Sequence, residues 1–404
     1  MTVPDTAADR LARSPELGTD ELARLGGAEV AIAGLGVLGG PVCHHLAMLG
    51  VPMILIDDDV VSEENLANQG FPARSVGEPK AAVRARQVRE LNPACQVRPV
   101  QGRIEDLGFA ALAGCSLIVT AIDNVGGRVR TAEIATRLGV PMLDCACDGS
   151  GHLLFGTVSA FHAGDTSPCF ACIYPSHALQ AKVRDEQPDN CGSREPGRPV
   201  TGPTLQCSGF GAVVSGFAAQ WAVRLLTGRG DELIGRRLTI SATATPPGMR
   251  MLPVAVRPDC VIGHRRFEPL HVDRSGTVAA TVAAAEATLG APVDEARLHG
   301  RTLAATLTCG VCGARREDVW RATTRISPAE GRCPSCKDRQ MDALTPVDTL
   351  DRTAIEQVAG REWDDLSLPR CELVSFRAGS EIAHFIVNDA SDHPAVAAGE
   401  ETIA

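Results

Sequence analysis

Short apolar runs and amphipathic stretches alternate along the first part of the chain. Residues 30–33 form an apolar run that stops at a glycine-rich turn. Residues 41–49 have the pattern of an amphipathic helix, and residues 53–56 form a second apolar run that ends on Asp57. Continuous apolar runs of this length are typical of strands that are buried on both faces of a sheet. The pattern therefore predicts a strand, a glycine turn, a helix and a second strand.

The alternation of predicted strands and helices continues as far as residue 145. Helices are predicted over residues 81–91 and 129–138, and strands over residues 96–100, 115–121 and 140–145. Elements in this order form a parallel sheet with helices on both faces, and ligands bind at the carboxyl ends of the strands. The sequence therefore predicts an α/β fold with a Rossmann-like, doubly wound and mostly parallel sheet.

A glycine turn stands between the first predicted strand and the first helix. Gly34, Gly36 and Gly39 form a GxGxxG pattern, and Asp57 ends the next strand. Glycines let the backbone approach phosphate oxygens, N–H groups at a helix start hold an anion, and the carboxylate accepts hydrogen bonds from ribose hydroxyls. This arrangement predicts a nucleotide-binding site; the alternative is a tight turn in an ordinary α/β core. Asp123 follows another predicted strand, so it could share the site with Asp57.

Length, charge and cysteine content narrow the class of protein. A chain of 404 residues is too long for one ordinary core, and its formal net charge of −10 argues against general nucleic-acid binding. The most apolar long window, Gly209–Leu226, contains Gln220 and Arg224 and is predicted to be a buried or interface helix rather than a membrane span. Fifteen cysteines without a secretory signal favour thiols and metal ligands in a reducing cytosol. We expect a cytoplasmic protein that binds neither nucleic acid nor membrane.

Two pairs of cysteines in the C-terminal part have the spacing of a zinc ribbon. Each pair is a C-x2-C motif, and the interval between the pairs is within the range that such ribbons use. The four residues are Cys309, Cys312, Cys333 and Cys336. Four thiolates suit a tetrahedral structural zinc site with no open position; the alternative is a redox dithiol. A third pair, Cys169 and Cys172, needs two further ligands to form such a site.

Six motifs follow one another between residues 34 and 172. They are GLGVLG at 34–39, LIDDDVV at 55–61, Asn65-Leu66 with Gln69, VGEPK at 76–80, Asp123-Asn124, and PCFAC at 168–172. In this order they resemble the motifs of the ubiquitin-activating-enzyme-like adenylyltransferases, the ThiF/MoeB/HesA family. The resemblance implies a homodimer that binds ATP and Mg²⁺ and adenylates a carboxylate with release of pyrophosphate. The substrate that it implies is the C-terminal carboxylate of a small ubiquitin-like sulfur-carrier protein or of a peptide.

The resemblance also implies roles for the residues of these motifs. Lys80 would neutralise the phosphates, Asp123 would hold Mg²⁺, Asp57 would fix the ribose, and the backbone of residues 34–39 would hold the phosphates. Asp123 could instead be a helix N-cap, and Lys80 could be an exposed residue at a helix start, where a cation is disfavoured. The other nucleotide-binding positions that the motifs give are Asp59, Asn65, Asn68, Gln69 and Asn124.

One position departs from the family pattern. The family loop reads N-L-x-R-Q with its arginine on the phosphates, whereas this chain has Asn68 there. A neutral amide replaces neither the charge nor the donors of a guanidinium, and the loss of such a contact costs about 100- to 1000-fold in rate. We expect Arg74 or an arginine of a partner subunit to compensate. Arg10 and Arg13 have the spacing of the N-terminal arginines that, in the family, reach the neighbouring subunit's ATP.

The resemblance also completes the zinc site of Cys169 and Cys172. A second cysteine pair normally supplies the other two ligands late in the adenylation domain. In this chain Cys260 and His264 stand in that place, which gives a Cys3His site. Imidazole is an ordinary zinc ligand, so we expect two structural zinc sites in the whole chain.

A reactive cysteine is a further expectation, because some relatives form a thioester on a loop cysteine. Cys191 lies on a polar stretch near two arginines, whose charge would favour its thiolate. Cys207, just before the long apolar helix, is the alternative position. An unreactive thiol is the simpler interpretation for each of them.

The predicted elements divide the chain into four regions. These are a ThiF-like adenylyltransferase domain over 1–270, a helical linker over 271–300, a zinc ribbon over 301–345, and a small tail over 346–404 with β-like runs at 371–376 and 382–387. Two other functions stay open. The chain could be an NAD-dependent oxidoreductase, because the glycine turn and Asp57 would also serve NAD. It could also be a catalytically retired scaffold that recruits partners through its zinc ribbon. This alternative is based on Asn68, which stands where the family has its phosphate-binding arginine.

Overall fold

The computed structural model describes residues 17–148, 154–164, 166–186, 208–274, 276–327, 329–337, 340–343, 345–368 and 372–388. These residues form two compact units. The larger unit contains most of the chain up to Arg266, and the smaller unit contains the residues from Phe267 onward together with the short segment Asp106–Ala113.

The larger unit is built on an eight-stranded sheet with the strand order β3-β2-β1-β4-β5-β6-β7-β8. The strands are β1 (Val30–Ala33), β2 (Met53–Asp57), β3 (Val97–Gln101), β4 (Leu117–Thr120), β5 (Met142–Asp148), β6 (Phe155–Phe161), β7 (Arg236–Ser241) and β8 (Gly248–Pro253). The four pairings among β1 to β5 are parallel, and the three pairings from β5 to β8 are antiparallel. The prediction of a mostly parallel, doubly wound α/β sheet is confirmed.

Seven helices are described in this unit. They are α1 (Thr19–Gly26), α2 (Gly39–Met48), α3 (Glu63–Leu66), α4 (Lys80–Leu91), α5 (Val125–Leu138), α6 (Ser176–Glu186) and α7 (Ser208–Leu226). Helix α5 begins four residues before the predicted start at Val129, because the Asn124 side chain accepts a hydrogen bond from the N–H of Gly127 and caps the helix.

The apolar runs are buried on both faces of the sheet, as their composition predicts. All four residues of β1 are buried, and Val30 and Ile32 belong to one large core cluster with α2 and α7. Helix α5 packs against β4 and β5. The long apolar helix α7 contains the one described segment, Gly209–Leu226, whose length and composition would allow a membrane span. Its Phe210, Val214, Ala218, Trp221 and Ala222 are buried in that core cluster, which agrees with the prediction of a buried helix.

The strand order reverses at β1, which has β2 on one side and β4 on the other. In register, Ala33 is opposite Ile56 of β2 and Thr120 of β4. The carboxyl ends of these three strands therefore meet at one edge of the sheet. Ligands of open α/β sheets bind at such a point.

The smaller unit contains a second, five-stranded sheet with the order β15-β10-β16-β17-β9. Its strands are β9 (Leu270–Asp273), β10 (Glu295–Leu298), β15 (Thr349–Asp351), β16 (Glu372–Ala378) and β17 (Glu381–Asn388), and its helices are α8 (Val278–Leu289) and α9 (Arg352–Val358). Trp363, Phe376 and Phe385 are fully buried in its core. The ribbon region contains four two-residue strands in two antiparallel pairs. Strand β11 (Leu303–Ala304) pairs with β14 (Arg321–Ala322), and β12 (Leu307–Thr308) pairs with β13 (Arg315–Arg316).

The boundaries within the smaller unit differ from the expected ones. The segment 271–300, expected as a helical linker, contributes strands to the same sheet as the tail after residue 346. Leu270 in β9 is opposite Phe385 in β17, and Leu298 in β10 is opposite Val374 in β16. These pairings join residues that are 115 and 76 positions apart, so the segment 271–300 and the tail form one sheet around the inserted ribbon.

Candidate active site

A cavity of about 350 Å³ lies at the carboxyl ends of β1, β2 and β4. The structure brings eight of the predicted nucleotide-binding residues together in its lining. These are Gly34, Gly36, Asp57, Asp59, Gln69, Lys80, Asp123 and Asn124. Residues from five separate parts of the chain therefore meet at the point where the strand order reverses.

Four predicted residues do not line this cavity. Gly39 begins α2, where a Cβ would lie 1.8 Å from the Gly34 carbonyl oxygen, so only glycine lets the helix start against the turn. The Asn65 side chain accepts a hydrogen bond from the Ser62 N–H at 3.0 Å and stabilises the start of α3. Arg74 is exposed on a short 3-10 turn, and Asn68 lies on the Gln69 loop outside the lining.

The glycine turn offers hydrogen-bond donors to the cavity. Gly34 has a φ of +84°, and a Cβ on it would lie 2.6 Å from the Ala121 carbonyl oxygen at the end of β4. The N–H groups of Gly36 and Val37, both of which line the cavity, donate to no other residue in the described ranges. Two backbone donors at the start of α2 are thus available to an anion.

Asp57 stabilises the glycine turn through hydrogen bonds from the backbone. One of its carboxylate oxygens accepts the Leu35 N–H at 2.7 Å, and the other accepts the Asp59 N–H at 3.0 Å. Burial raises the pKa of Asp57, while these two hydrogen bonds and the charge of Lys80 act in the opposite direction. Each carboxylate oxygen has a second lone pair, so Asp57 can still accept a hydroxyl donor from the cavity.

Lys80 supplies positive charge inside the cavity. It is the first residue of α4, its side chain is 7% exposed, and its Nζ lies 2.8 Å from Asp59 Oδ2. A cation at a helix start is disfavoured by the helix dipole, and the pairing with Asp59 offsets this cost. The alternative of an exposed lysine does not hold, because the side chain is buried.

Asp123 offers a free carboxylate on the other side of the cavity. The helix cap expected as its alternative role belongs to Asn124. Asp123 is exposed, and its carboxylate makes no hydrogen bond or ion pair with a residue of the described part of the chain. The backbone just before it is held by Arg128, whose Nε donates to the Ile122 carbonyl oxygen at 2.8 Å.

Two arginines near the cavity were not singled out from the sequence. Arg103 lines the cavity just after β3, and its Nη2 lies 2.9 Å from Glu105 Oε1. Arg128 lies on α5, 3.7 Å from the buried Asp144, which also accepts the Thr120 hydroxyl. Arg103 follows the end of a predicted strand, and this is the signal that could have identified it; Arg128 precedes the predicted helix start at residue 129 and gave no such signal.

The charge of the lining is mostly negative. It contains five carboxylates, on Asp57, Asp58, Asp59, Glu105 and Asp123, but only two cationic side chains, on Lys80 and Arg103. A polyphosphate would be repelled by this surface unless a cation came with it. The donor set of hard carboxylate oxygens suits a divalent cation such as Mg²⁺.

The first group of side chains that could hold a metal ion is the predicted Cys3His set. The ligand atoms of Cys169, Cys172, Cys260 and His264 all lie within 4.8 Å of one another. The Sγ of Cys169 lies 4.0 Å from that of Cys172 and 3.5 Å from that of Cys260. Thiolates on one tetrahedral zinc are about 3.8 Å apart, so this spacing fits such an ion.

The second group is the predicted ribbon set, Cys309, Cys312, Cys333 and Cys336. In each pair the N–H of the residue after the second cysteine donates to the carbonyl of the first: Gly313 to Cys309 at 3.0 Å and Lys337 to Cys333 at 2.9 Å. Both donor residues have a positive φ, +71° and +57°. The N–H of Cys312 lowers the pKa of Cys309 to about 6, which favours the thiolate that binds metal.

Four predicted residues lie outside the described ranges. They are the two N-terminal arginines and the two thioester candidates, Arg10, Arg13, Cys191 and Cys207. Their roles stay predictions.

A comparison with family profiles decides the classification of the larger unit. The profile described as the ThiF family matches residues 8–261. The chain belongs to the ThiF family. The predicted resemblance is therefore confirmed, and the ThiF match ends before the five-stranded sheet and the ribbon begin.

Several proteins are similar to the ThiF part of this chain. The SAMP-activating enzyme E1 of Haloferax volcanii is 30% identical over 277 residues, which cover 65% of this chain and 91% of the relative. The sulfur carrier protein adenylyltransferase of Thermus thermophilus is 29% identical over 259 residues, which cover 61% and 86%. The crystal structure of E. coli MccB matches with a TM-score of 0.50 at 17% identity over 67% of this chain and 76% of its own, and supports the fold alone.

Proposed function

We propose that this ThiF family member is an ATP-dependent adenylyltransferase. Its substrate would be the C-terminal carboxylate of a small ubiquitin-like sulfur-carrier protein or of a peptide, and its products the acyl adenylate and pyrophosphate. The observation that carries the proposal is the single cavity in which Lys80, Asp123 and the free N–H groups of Gly36 and Val37 meet. Relatives named as adenylyltransferases and as an activating enzyme support the same reaction.

The reaction needs positive charge and alignment more than a strong base. A carboxylate oxygen of the substrate attacks the α-phosphorus, the bond to the β-phosphate oxygen breaks, and pyrophosphate leaves with the electron pair. Both reactants are anionic, so a site that neutralises and orients them lowers the barrier. Lys80 and the N–H groups of Gly36 and Val37 would hold the phosphates, and Asp57 would accept a ribose hydroxyl.

The residues present fit this nucleotide. Gly36 leaves room for it, because a Cβ there would already come within 3.3 Å of the Gln69 side chain. The buried Oε1 of Gln69 has no hydrogen-bond partner in the described part of the chain. Such an unpaired polar atom is costly unless a ligand contributes a donor when it binds.

We propose Asp123 as the principal protein ligand of Mg²⁺. Its carboxylate is exposed and makes no hydrogen bond or ion pair with another described residue, which leaves its oxygens free for the ion. Mg²⁺ would neutralise charge on the phosphates and keep several water ligands. The excess of carboxylates in the lining supports this assignment, because it makes binding of a bare polyphosphate unfavourable.

We propose that Arg103, rather than Arg74, compensates for Asn68. Arg103 lines the cavity, whereas Arg74 is exposed on the turn before α4 and does not line it. A guanidinium on the lining supplies both charge and a planar set of donors to phosphate oxygens. An arginine of a partner subunit, with Arg13 as the candidate, stays a second source of charge.

We propose that each of the two cysteine-containing groups binds a structural zinc ion. Both have four ligands of the types that zinc prefers, at mutual distances that suit a tetrahedron. The Cys3His group is supported by Arg137, which donates to the carbonyl oxygen of Ile262, between Cys260 and His264, and to that of Arg265, just after His264. Fixing a ligand loop in this way orients the ligands before the ion binds.

We further propose a cytoplasmic homodimer. None of the twelve cysteines in the described ranges forms a disulfide, which supports a reducing compartment. Val213 on α7 and Met249 and Met251 on β8 are apolar side chains about half exposed, which supports a partner surface on the ThiF unit. Light scattering in solution tests the homodimer, and a monomeric mass at all concentrations contradicts it.

Pyrophosphate exchange tests the proposed reaction. The wild-type chain is incubated with ATP, Mg²⁺, labelled pyrophosphate and candidate carriers that end in a free glycine carboxylate. Each carrier is compared with the same carrier ending in a carboxamide, which cannot attack. We expect label to enter ATP only with the free carboxylate, and Lys80→Ala to lower the rate about 100- to 1000-fold. Lys182→Ala, which removes an exposed lysine on α6, is the matched control.

The other outcomes of this assay separate the alternatives. Exchange that persists undiminished in Lys80→Ala would contradict the phosphate assignment. Tight ATP binding without exchange for any carrier would favour the retired scaffold. Binding of NAD with hydride transfer, and no exchange, would favour the oxidoreductase.

A further inference from the structure

Arg84 is a buried cation that the proposed reaction does not use directly. It lies on α4, one helical turn after Lys80, so the two side chains share a face of the helix. Lys80 reaches the cavity, whereas the Arg84 side chain is buried beneath the glycine turn and does not line the cavity. Its charge has to be held by hydrogen bonds, because burying an unpaired guanidinium is costly.

The guanidinium of Arg84 joins the two loops that form one side of the cavity. Its Nε donates to the Leu35 carbonyl oxygen at 3.1 Å, and its Nη2 donates to the Gln69 carbonyl oxygen. Its Nη1 donates to Gln87 Oε1 at 2.8 Å, and its Cζ lies 3.9 Å from the centre of the Phe71 ring. Each of the three guanidinium nitrogens therefore donates a hydrogen bond, which fixes the orientation of the planar group.

The contact with Leu35 determines where the Gly36 N–H points. The Leu35 carbonyl and the Gly36 N–H belong to one peptide group, and in a trans peptide they lie on opposite sides. When Arg84 holds the carbonyl beneath the turn, the N–H is directed away from Arg84. Gly36 lines the cavity, and its N–H has no acceptor within the described ranges.

The preceding peptide group is held in a matching way. Asp57 accepts the Leu35 N–H at 2.7 Å, so the two polar groups of Leu35 are fixed by one anion and one cation. The close approach of the guanidinium also explains Gly40, where a Cβ would lie 2.5 Å from Arg84 Nη2. Burial lowers the pKa of Arg84 to about 10, so the group is still charged at neutral pH.

We propose that Arg84 is a positioning residue for the phosphate-binding backbone: it orients the Leu35–Gly36 peptide and ties it to the Gln69 loop. Arg84 does not touch the nucleotide itself. The inference rests on the proposed function, because it needs a phosphate in the cavity. It predicts that Arg84 governs the affinity for the phosphates and leaves the affinity for the nucleoside unchanged.

The test compares ATP with adenosine as ligands of the full chain in the presence of Mg²⁺ and without a carrier. We expect Arg84→Met to weaken ATP binding about 10- to 100-fold and adenosine binding by less than about twofold. Arg84→Lys keeps the charge but cannot reach both carbonyls, so we expect an intermediate loss. Arg86→Met is the matched control, because Arg86 lies on the same helix and pairs with Glu78 away from the cavity.

Rescue by guanidinium ions provides a second measurement, which separates the loss of the Arg84 side chain from misfolding of the variant. We expect millimolar guanidinium to restore part of the ATP affinity of Arg84→Ala and to leave Arg86→Ala unchanged. Equal loss of ATP and adenosine affinity in Arg84→Lys, or ATP affinity unchanged in Arg84→Met, would overturn the inference. A wild-type chain that binds adenosine but not ATP would instead overturn the proposed function.

Discussion

The Nζ of Lys80 lies 2.8 Å from Oδ2 of Asp59, and the two side chains differ sharply in exposure. Lys80 is 7% exposed and Asp59 is 66% exposed. An ion pair with one partner largely in water is weak, so another anion can replace the carboxylate. The pair therefore keeps a buried cation satisfied and leaves it available to a phosphate.

The opposite side of the cavity gives a prediction about metal dependence. If Asp123 holds Mg²⁺, Asp123→Asn keeps the shape of the side chain but loses the charge that the ion needs. We expect the Mg²⁺ concentration at half-maximal exchange to rise about tenfold or more. A magnesium titration of the exchange rate measures this. Asp231→Asn, at an exposed position before β7, should behave like the wild type, and an equal effect in both variants would rule out the assignment.

The position of Arg103 gives a prediction that separates it from Arg74. We expect Arg103→Met to weaken ATP binding about tenfold, because it removes one of two cations from the lining. We expect Arg74→Met to change it by less than about twofold, because exposed charges contribute little. Calorimetric titration with ATP and Mg²⁺ compares the two. The reverse ranking would assign the compensating role to Arg74.

Asp57 gives a prediction about the pH dependence of stability. Burial raises its pKa above the ordinary value of 3.8, so between 3.8 and the raised pKa the folded chain binds this proton more fully than the unfolded chain does. The contribution of Asp57 to the free energy of unfolding therefore falls as pH rises through that window. We expect this free energy to fall more steeply with rising pH in the wild type than in Asp57→Asn.

Denaturant titrations at a series of pH values from 4 upward measure the two slopes. Parallel curves, or a steeper fall in Asp57→Asn, would show that the native carboxyl does not bind its proton more tightly.

The two cysteine-containing groups give a prediction about metal content. We expect two zinc ions per chain by elemental analysis, and one in either Cys172→Ser or Cys333→Ser, because each variant removes one ligand from one group. Cys115→Ser changes a buried thiol outside both groups and should keep both ions. Removal of zinc with a chelator should lower the melting temperature. Loss of both ions in a single variant would contradict two independent sites.

Much of the ThiF fold is predictable from the chain because its central strands are buried on both faces. Such strands appear as continuous apolar runs, and the structure finds β1, β2 and β4 within those runs. The start of α5 was less predictable, because Asn124 rather than the apolar pattern sets it. The cap starts the helix at Val125, four residues before the apolar pattern indicates a helix.

The smaller unit was less predictable because its pairings are distant in sequence. The pattern of β9 is four residues long and mostly exposed, and its partner β17 lies beyond the ribbon. No local signal joins these two strands. The cysteine spacing, in contrast, predicted the ribbon group, because its ligands come as two close pairs, whereas Cys260 and His264 were expected only from the family resemblance.

The cavity, too, contains residues that could be predicted from the sequence and one neighbouring residue that could not. Its motif residues were predictable because glycine, lysine and aspartate at those spacings are seldom required by the fold alone and so indicate ligand binding. Arg84 was not, because its role depends on a peptide group that only the folded turn brings above it. Its position one turn after Lys80 is visible in the sequence, but the direction of the Leu35 carbonyl is not.

The central claim is that a triphosphate lies across the glycine turn between Lys80 and Asp123. A crystal structure with Mg²⁺ and an ATP analogue that cannot be cleaved between the α- and β-phosphates tests it most directly. We predict phosphate oxygens about 3 Å from the Gly36 N–H and from Lys80 Nζ, the metal at Asp123, and the Lys80–Asp59 pair broken. A saturated crystal in which that pair is intact and the nucleotide lies elsewhere would contradict the account.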